Sequence, residues 1–350
     1  MPGQAEAYGA AAARPAGQPG RPTGVPARPA TGIAAVATEP VPAGVDYTQV
    51  LRTPNASPAA SIMGVVLGVL TFMVATPLVS QGLAALYWLA IGRPGAFTDT
   101  YRSLVAYEVP FGLVVGHAGL AMLIPISIAL VLFMHRVRPG YLSSVLGCIR
   151  WRWFFITLAI GFASLWLVLV LQNATAPGGP SWAITPQAGA LTFLLVMLVT
   201  TPIQAAAEEY FFRGYLMQSL GAMVATPWFG ILVSAALFTL FHASSNVALV
   251  LDRFAFGVLA GWLVVRTGGL EAAIGAHIAN NVSAFGLAAL TSSMAEVKAI
   301  TEVTWAAAAW DVGRFAFFTL LIVLLARGYR PATLTVGDAP AGRRRPSGSV

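Results

Sequence analysis

The sequence predicts an all-α fold, a polytopic membrane protein of about eight transmembrane helices with disordered N- and C-terminal tails. Three observations predict it. Hydrophobic residues make up 57% of the 350 positions, charged residues only 9%, and the mean hydropathy is +0.75. A soluble domain carries about a quarter charged residues to cover its surface, so here lipid has to provide the cover. Apolar runs long enough to cross a bilayer recur along the chain. The cationic residues fall between those runs in a pattern that alternates from loop to loop.

Residues 1–55 are rich in Pro, Gly and Ala and lack apolar periodicity, so they are expected to form a disordered cytoplasmic tail. They hold no apolar stretch of the signal-peptide kind, which leaves insertion to the first span. The membrane domain is expected over 56–327. Its spans are placed at 61–90, with Pro77 inside, then 111–134 and 153–172. A fourth starts near 189 and continues as helix past Tyr215, and the others lie at 228–242, 246–265, 270–290 and 312–326. Residues 328–350, with Arg343-Arg344-Arg345, are expected to be a basic disordered tail.

Nineteen Arg and one Lys give a net charge of +7. In a soluble protein that excess would suggest nucleic acid, but these residues flank apolar spans, so the bilayer is the expected partner and nucleic acid is not. With the N-terminus in the cytoplasm, fourteen cations fall inside, among them Arg136, Arg138, Arg150, Arg152, Arg266, Arg327 and Arg330. Only Arg93, Arg102 and Lys298 fall outside, so both termini of this multi-pass chain are expected in the cytoplasm. The Arg-rich, Lys-poor usage points to a GC-rich bacterial genome and hence to the plasma membrane. Cys148 stands alone and allows no internal disulfide. No internal repeat is apparent, which counts against many transporter architectures.

Ionisable residues within apolar spans are costly and mark function. Three clusters do so. Glu208-Glu209 is followed by Arg213, which shares a helix face with Glu209, while Glu208 points about 100° away. His242 ends an apolar helix four residues after Phe238, with Asn246 one turn on and able to orient it. His277 and Asn281 share one face of the seventh span. For each the bland reading is polar packing between helices or an interfacial helix end. The constellation outweighs its parts, because two of only four histidines fall in these clusters. Of the others, His117 reads as buried polar packing and His135 as interfacial.

Glu and His can hold and deprotonate a water, and a second His with an Asn can donate to a developing oxyanion. No Gly-x-Ser-x-Gly motif or Cys-His pairing offers a nucleophile. Glu and two His could also ligate zinc, although His-Glu-x-x-His is absent. The order Glu-Glu-x-x-x-Arg, Phe-x-x-x-His, His-x-x-x-Asn resembles the CPBP family of intramembrane proteases. That family includes type II CAAX prenyl endopeptidases and bacterial Abi proteins linked to bacteriocin self-immunity. Phe256-Gly257, Gly261 and Thr267-Gly268 are similar to its pattern before the third motif, and the likeness covers about 190–290.

The resemblance implies a glutamate-dependent endopeptidase acting on a membrane-embedded or membrane-associated peptide or protein, with no cofactor. In it Glu208 and His242 would activate water, His277 and Asn281 would hold the oxyanion, and Glu209 with Arg213 would support the site. A cavity open to the cytoplasm is expected. The competing readings are a catalytically silent membrane scaffold or immunity-type regulator, and a proton-coupled transporter using Glu208.

Overall fold

A computed structural model describes residues 37–176 and 182–337. It is helical throughout, and the described residues hold no strand, only the isolated bridges Asp46–Leu334 and Ser144–Gly269. The helices are α1 (Pro58–Ala90), α2 (Phe97–Val105), α3 (Phe111–Ala121), α4 (Leu123–Met134), α5 (Trp151–Ala174) and α6 (Ala190–Glu209). After a π-helical segment (Tyr210–Leu216) come α7 (Met217–Met223), α8 (Pro227–Phe241), α9 (Val247–Thr267), α10 (Glu271–Thr291), α11 (Met294–Lys298) and α12 (Trp305–Tyr329). Seven helical stretches are long and apolar enough to cross a membrane, and the chain is a multi-pass membrane protein.

The fifth expected span, 228–242, is shorter than the other seven. α8 has 15 residues, about 22 Å at 1.5 Å per residue, against roughly 30 Å of hydrocarbon. Thr226 caps its start with Pro227 at the first turn, and Ala243, at φ +47°, turns the chain out just after His242. The second span is broken as well. Pro125 has no N–H to give to the carbonyl of Ala121 and clashes with it, so α3 stops at Ala121 and α4 begins at Leu123. The fourth span runs unbroken from Ala190 to Met223, 34 residues, as the position of Glu208 at mid-helix requires.

α10 lies inside the bundle with α5 and α6 along it, α8 packs on α9, and α9 on α12. Close approach comes from small residues. A Cβ on Gly161 would meet the Ala279 methyl at 3.1 Å, and one on Gly275 would meet the Leu158 backbone at 3.0 Å. The Gly257-x-x-x-Gly261 pair serves within the chain. Gly257 faces Ala235, and Gly261 faces Ile231 and Met217.

Both terminal expectations need correction. Residues 1–36 and 338–350 lie outside the described residues, but 37–55 pack as a strap rather than a tail. Val41, Tyr47, Val50 and Leu51 are buried in the main core. The Arg52 Nε donates to the Ala222 carbonyl at 2.9 Å, and the Tyr47 hydroxyl donates to the Leu142 carbonyl. At the other end the helix reaches Tyr329, and Thr335 is buried, its hydroxyl donating to the Pro42 carbonyl. The two segments close the arginine-bearing end of the bundle together.

His135, just after α4, is half-buried against this closed end, with Nε2 3.2 Å from the Ser219 hydroxyl and 3.4 Å from that of Tyr215. It is therefore packed rather than merely interfacial. Desolvation lowers its pKa to about 4. Above an unfolded value of about 6.5 the ring is neutral in both states. Below that the unfolded chain binds the proton first, so stability falls as pH drops from about 6.5 toward 4. His135→Gln should flatten the melting profile over that window in detergent. Parallel profiles for the two proteins would assign the loss to other groups.

Candidate active site

The local fold brings Glu208, Glu209 and His277 into direct contact. Glu208 and Glu209 are the last two residues of α6, followed at once by the π-helical segment. A π turn holds more residues than an α turn, so Arg213 returns almost beneath Glu209. Its Nη1 lies 3.1 Å from Glu209 Oε1, and neither side chain has any exposure. The approach is through charge rather than an aligned hydrogen bond, since the guanidinium nitrogens and Glu209 Oε2 have no hydrogen-bond partner. The guanidinium is instead held between aromatic faces, 4.2 Å from the Phe238 ring centre and 5.0 Å from that of Phe256.

His277, on α10, links the two carboxylates. Its Nδ1 is 2.7 Å from Glu209 Oε1, and its Nε2 is 3.5 Å from Glu208 Oε2. Glu209 can only accept, so Nδ1 carries the proton, and the ring turns Nε2 toward Glu208. The expectation that Glu208 stands apart from its neighbour's partners is thus corrected, because both glutamates meet at one imidazole. The other Glu208 oxygen, Oε1, accepts from Gln204 Nε2 at 2.8 Å. Gln204 Oε1 in turn accepts from Asn281 Nδ2 at 3.1 Å, and Asn281 Oδ1 accepts from Asn280 Nδ2 at 3.1 Å. A single chain of polar contacts therefore runs Asn280–Asn281–Gln204–Glu208–His277–Glu209–Arg213.

Sequence reasoning missed Gln204. The signal was present, since it lies four residues before Glu208 and so on the same helix face. Asn280 sat beside an identified motif residue without a role.

His242 stands at the edge of this chain. Its Nδ1–H donates to the Phe238 carbonyl at 2.8 Å, which leaves Nε2 with a free lone pair. The Phe238 ring lies between the two imidazoles, 4.4 Å from His242 and 6.3 Å from His277 between ring centres. His242 is close enough for the charges of Glu208 and His277 to act on it, but it has no direct hydrogen bond to either. Asn246 does not orient it. Its Oδ1 caps α9, accepting from Leu249 N–H at 2.8 Å. His117 is packed as expected, with Nδ1 2.8 Å from the Thr200 hydroxyl.

The polar edge of the site faces away from the strap. Along α10, Glu271–Ala279 are buried, Asn280 to Val282 are half-buried and Ala284 is exposed. The Tyr107 hydroxyl, in the loop before α3, is pushed up to about 12, by burial first and by the charge of Glu208 second. Lys298, in α11, is held below its usual range by burial, with Glu208 opposing. Tyr107 and Lys298, 5.1 Å apart from ring centre to Nζ, lie at the end opposite the arginine belt. A cavity open to the cytoplasm and cytoplasmic termini therefore do not hold together.

Asp252, Arg253, Asp311 and Arg314 form a second polar group, with Arg314 paired to Asp311 and Arg253 in the field of Glu208. Sequence reasoning passed over all four. Among the described residues no group of three or more His, Cys, Asp or Glu side chains is placed to hold a metal.

Two carboxylates on one imidazole can accept and pass on protons. Residues 189–283 match the family model of type II CAAX prenyl endopeptidase Rce1-like proteins, a family of CAAX protease-type peptidases. All of the motif residues lie within that stretch. The chain is also 31% identical over 142 residues to the Uncharacterized protein YyaK of Bacillus subtilis (strain 168). The alignment takes in 39% of this chain and 46% of that protein, less than half its length.

Proposed function

We propose that this chain is an intramembrane endopeptidase that hydrolyses a membrane-embedded or membrane-associated peptide or protein. The observation that carries the reading is the Glu208–His277–Glu209 contact, buried within the stretch that matches the Rce1-like family. Glu208 takes the proton of a water whose oxygen attacks the scissile carbonyl carbon, with the free Nε2 of His242 as second acceptor. Asn281 and His277, whose ring Glu209 holds at Nδ1, stabilise the oxyanion. The proton then passes to the leaving amine nitrogen as the C–N bond breaks. Glu209 and Arg213 fix the ring that does this. No resident metal enters the scheme.

The proposed location is the plasma membrane, with both termini cytoplasmic as the arginine pattern favours. The substrate then approaches from the opposite side, where Lys298 and Tyr107 lie. The test is cleavage of candidate membrane peptides by the purified protein beside Glu208→Ala and His242→Ala. Activity lost in both variants and kept in a metal chelator supports the scheme. Equal activity in all three proteins would end it, and loss in chelator would move it to a metal mechanism.

A further inference from the structure

At the arginine-bearing end of the bundle, α9 and α12 terminate side by side, and the chain leaving α12 folds back across them. The concavity between them measures about 220 Å³. Arg266, Arg327 and Arg330 stand around it with Thr333, and Val323 and Ala326 line its apolar side. No Asp or Glu lines it, and none of the three Arg has a carboxylate partner among the described residues. Single Arg residues at helix C-termini are explained by the macrodipole and by loop charge bias. Three that converge on one hollow repel each other unless an anion joins them.

The hollow is a built one. Arg330 sits in the left-handed region at φ +52°, its N–H on the Ala326 carbonyl at 2.8 Å. Arg150 Nη1 donates to the Ala332 carbonyl at 3.0 Å. Gly268, at φ +71°, lets α9 end directly against that carbonyl, where a Cβ would come within 2.2 Å. Its level in the membrane is marked by aromatics. Arg266 lies over the Trp262 ring at 5.8 Å, and Tyr329, between Arg327 and Arg330, stacks on Trp153 at 4.7 Å. Trp and Tyr beside cations at span ends define headgroup depth.

We propose that this pocket binds a phosphate group, as the phosphodiester of an anionic lipid headgroup or as free phosphate. Guanidinium forks match phosphate oxygens, and basic hollows between span ends suit lipid headgroups. The Val323–Ala326 side accepts the apolar part of a lipid and offers nothing to a free ion. This proposal stands independently of the hydrolytic reading. Arg150, which holds the segment after α12 at the Ala332 carbonyl, also holds Glu271 at the start of α10.

The test is binding to the full chain in neutral detergent, by native mass spectrometry and calorimetry. The probes are short-chain phosphatidylglycerol, short-chain phosphatidylcholine and inorganic phosphate. The protein is compared with Arg266→Ala/Arg327→Ala/Arg330→Ala, with Arg327→Gln alone, whose exposed side chain leaves the fold intact, and with Arg102→Ala at the other end. The expected result is binding of phosphatidylglycerol that weakens with salt, falls about ten-fold or more in the triple variant, and is unchanged in Arg102→Ala. The same arginine dependence with inorganic phosphate alone would make the free ion the ligand. Affinities for both anions that are equal in wild type, Arg327→Gln and the triple variant would overturn the proposal.

Discussion

Glu209→Gln is expected to lose both activity and stability, whereas Glu208→Gln is expected to lose activity alone. The difference lies in what each carboxylate neutralises. Glu208 accepts from Gln204 and faces His277 at 3.5 Å, and no guanidinium is paired to it among the described residues. A glutamine there keeps an acceptor for Gln204 and offers an N–H to the imidazole, so the fold should change by no more than about 1 kcal/mol. It cannot take a proton from water, and turnover should fall by about 10²–10⁴-fold. Glu209 is the counter-ion of a fully buried arginine. Its amide would leave Arg213 with only the Phe238 and Phe256 faces, and an uncompensated buried charge costs about 3–5 kcal/mol. It would also loosen the hold on His277 Nδ1, so what survives should be inactive. Unfolding midpoints and peptide cleavage measured on the same detergent preparations separate the two. If Glu209→Gln melts with wild type, or if Glu208→Gln melts as early as Glu209→Gln, the division of labour is wrong.

The spans and the site residues were legible for one reason. In lipid every backbone group has to be satisfied within the helix, so spans appear as long apolar runs, and the few polar residues inside them stand out against their cost. That contrast picked out Glu208, Glu209, Arg213, His242, His277 and Asn281. Gln204 was passed over although its spacing puts it on the helix face of Glu208, and no residue type announces the π-helical segment. That contrast also misjudged residues 37–55. Their composition lacks periodicity, yet Tyr47, Val50 and Leu51 insert singly into a core made by other segments. A strap that borrows its core from the bundle leaves no pattern of its own. The brevity of α8 was written in Thr226-Pro227, a start signal, but its end depends on Ala243 taking a left-handed conformation that an alanine rarely adopts.

The ion pair with the largest expected effect outside the site was equally hidden, because its partners are 121 residues apart. Glu271→Ala should destabilise the protein by about 3–5 kcal/mol. Arg150 meets Glu271 with both edges of its fork, Nε to Oε1 at 2.8 Å and Nη2 to Oε2 at 2.6 Å, and its own backbone N–H adds a third bond to Oε1 at 2.9 Å. The remaining Nη1 is committed to the carbonyls of Thr267 and Ala332. Without the carboxylate, a guanidinium with 12% exposure has no charge to meet and cannot reach water without releasing α9 and the segment after α12. Glu271 is also the acidic residue in the first turn of α10, where a negative charge offsets the helix dipole by a further 0.3–1 kcal/mol, roughly. Glu271→Gln keeps an acceptor for Arg150 but not the charge, so it should fall between wild type and Glu271→Ala in denaturant unfolding. The damage should reach the site as well, since His277 lies six residues along the same helix, and cleavage should fall further than the loss of folded protein alone predicts. An unfolding midpoint in Glu271→Ala equal to that of wild type would mean that Arg150 finds its partner elsewhere, and that α10 is held in place by the small-residue contacts at Gly161 and Gly275 alone.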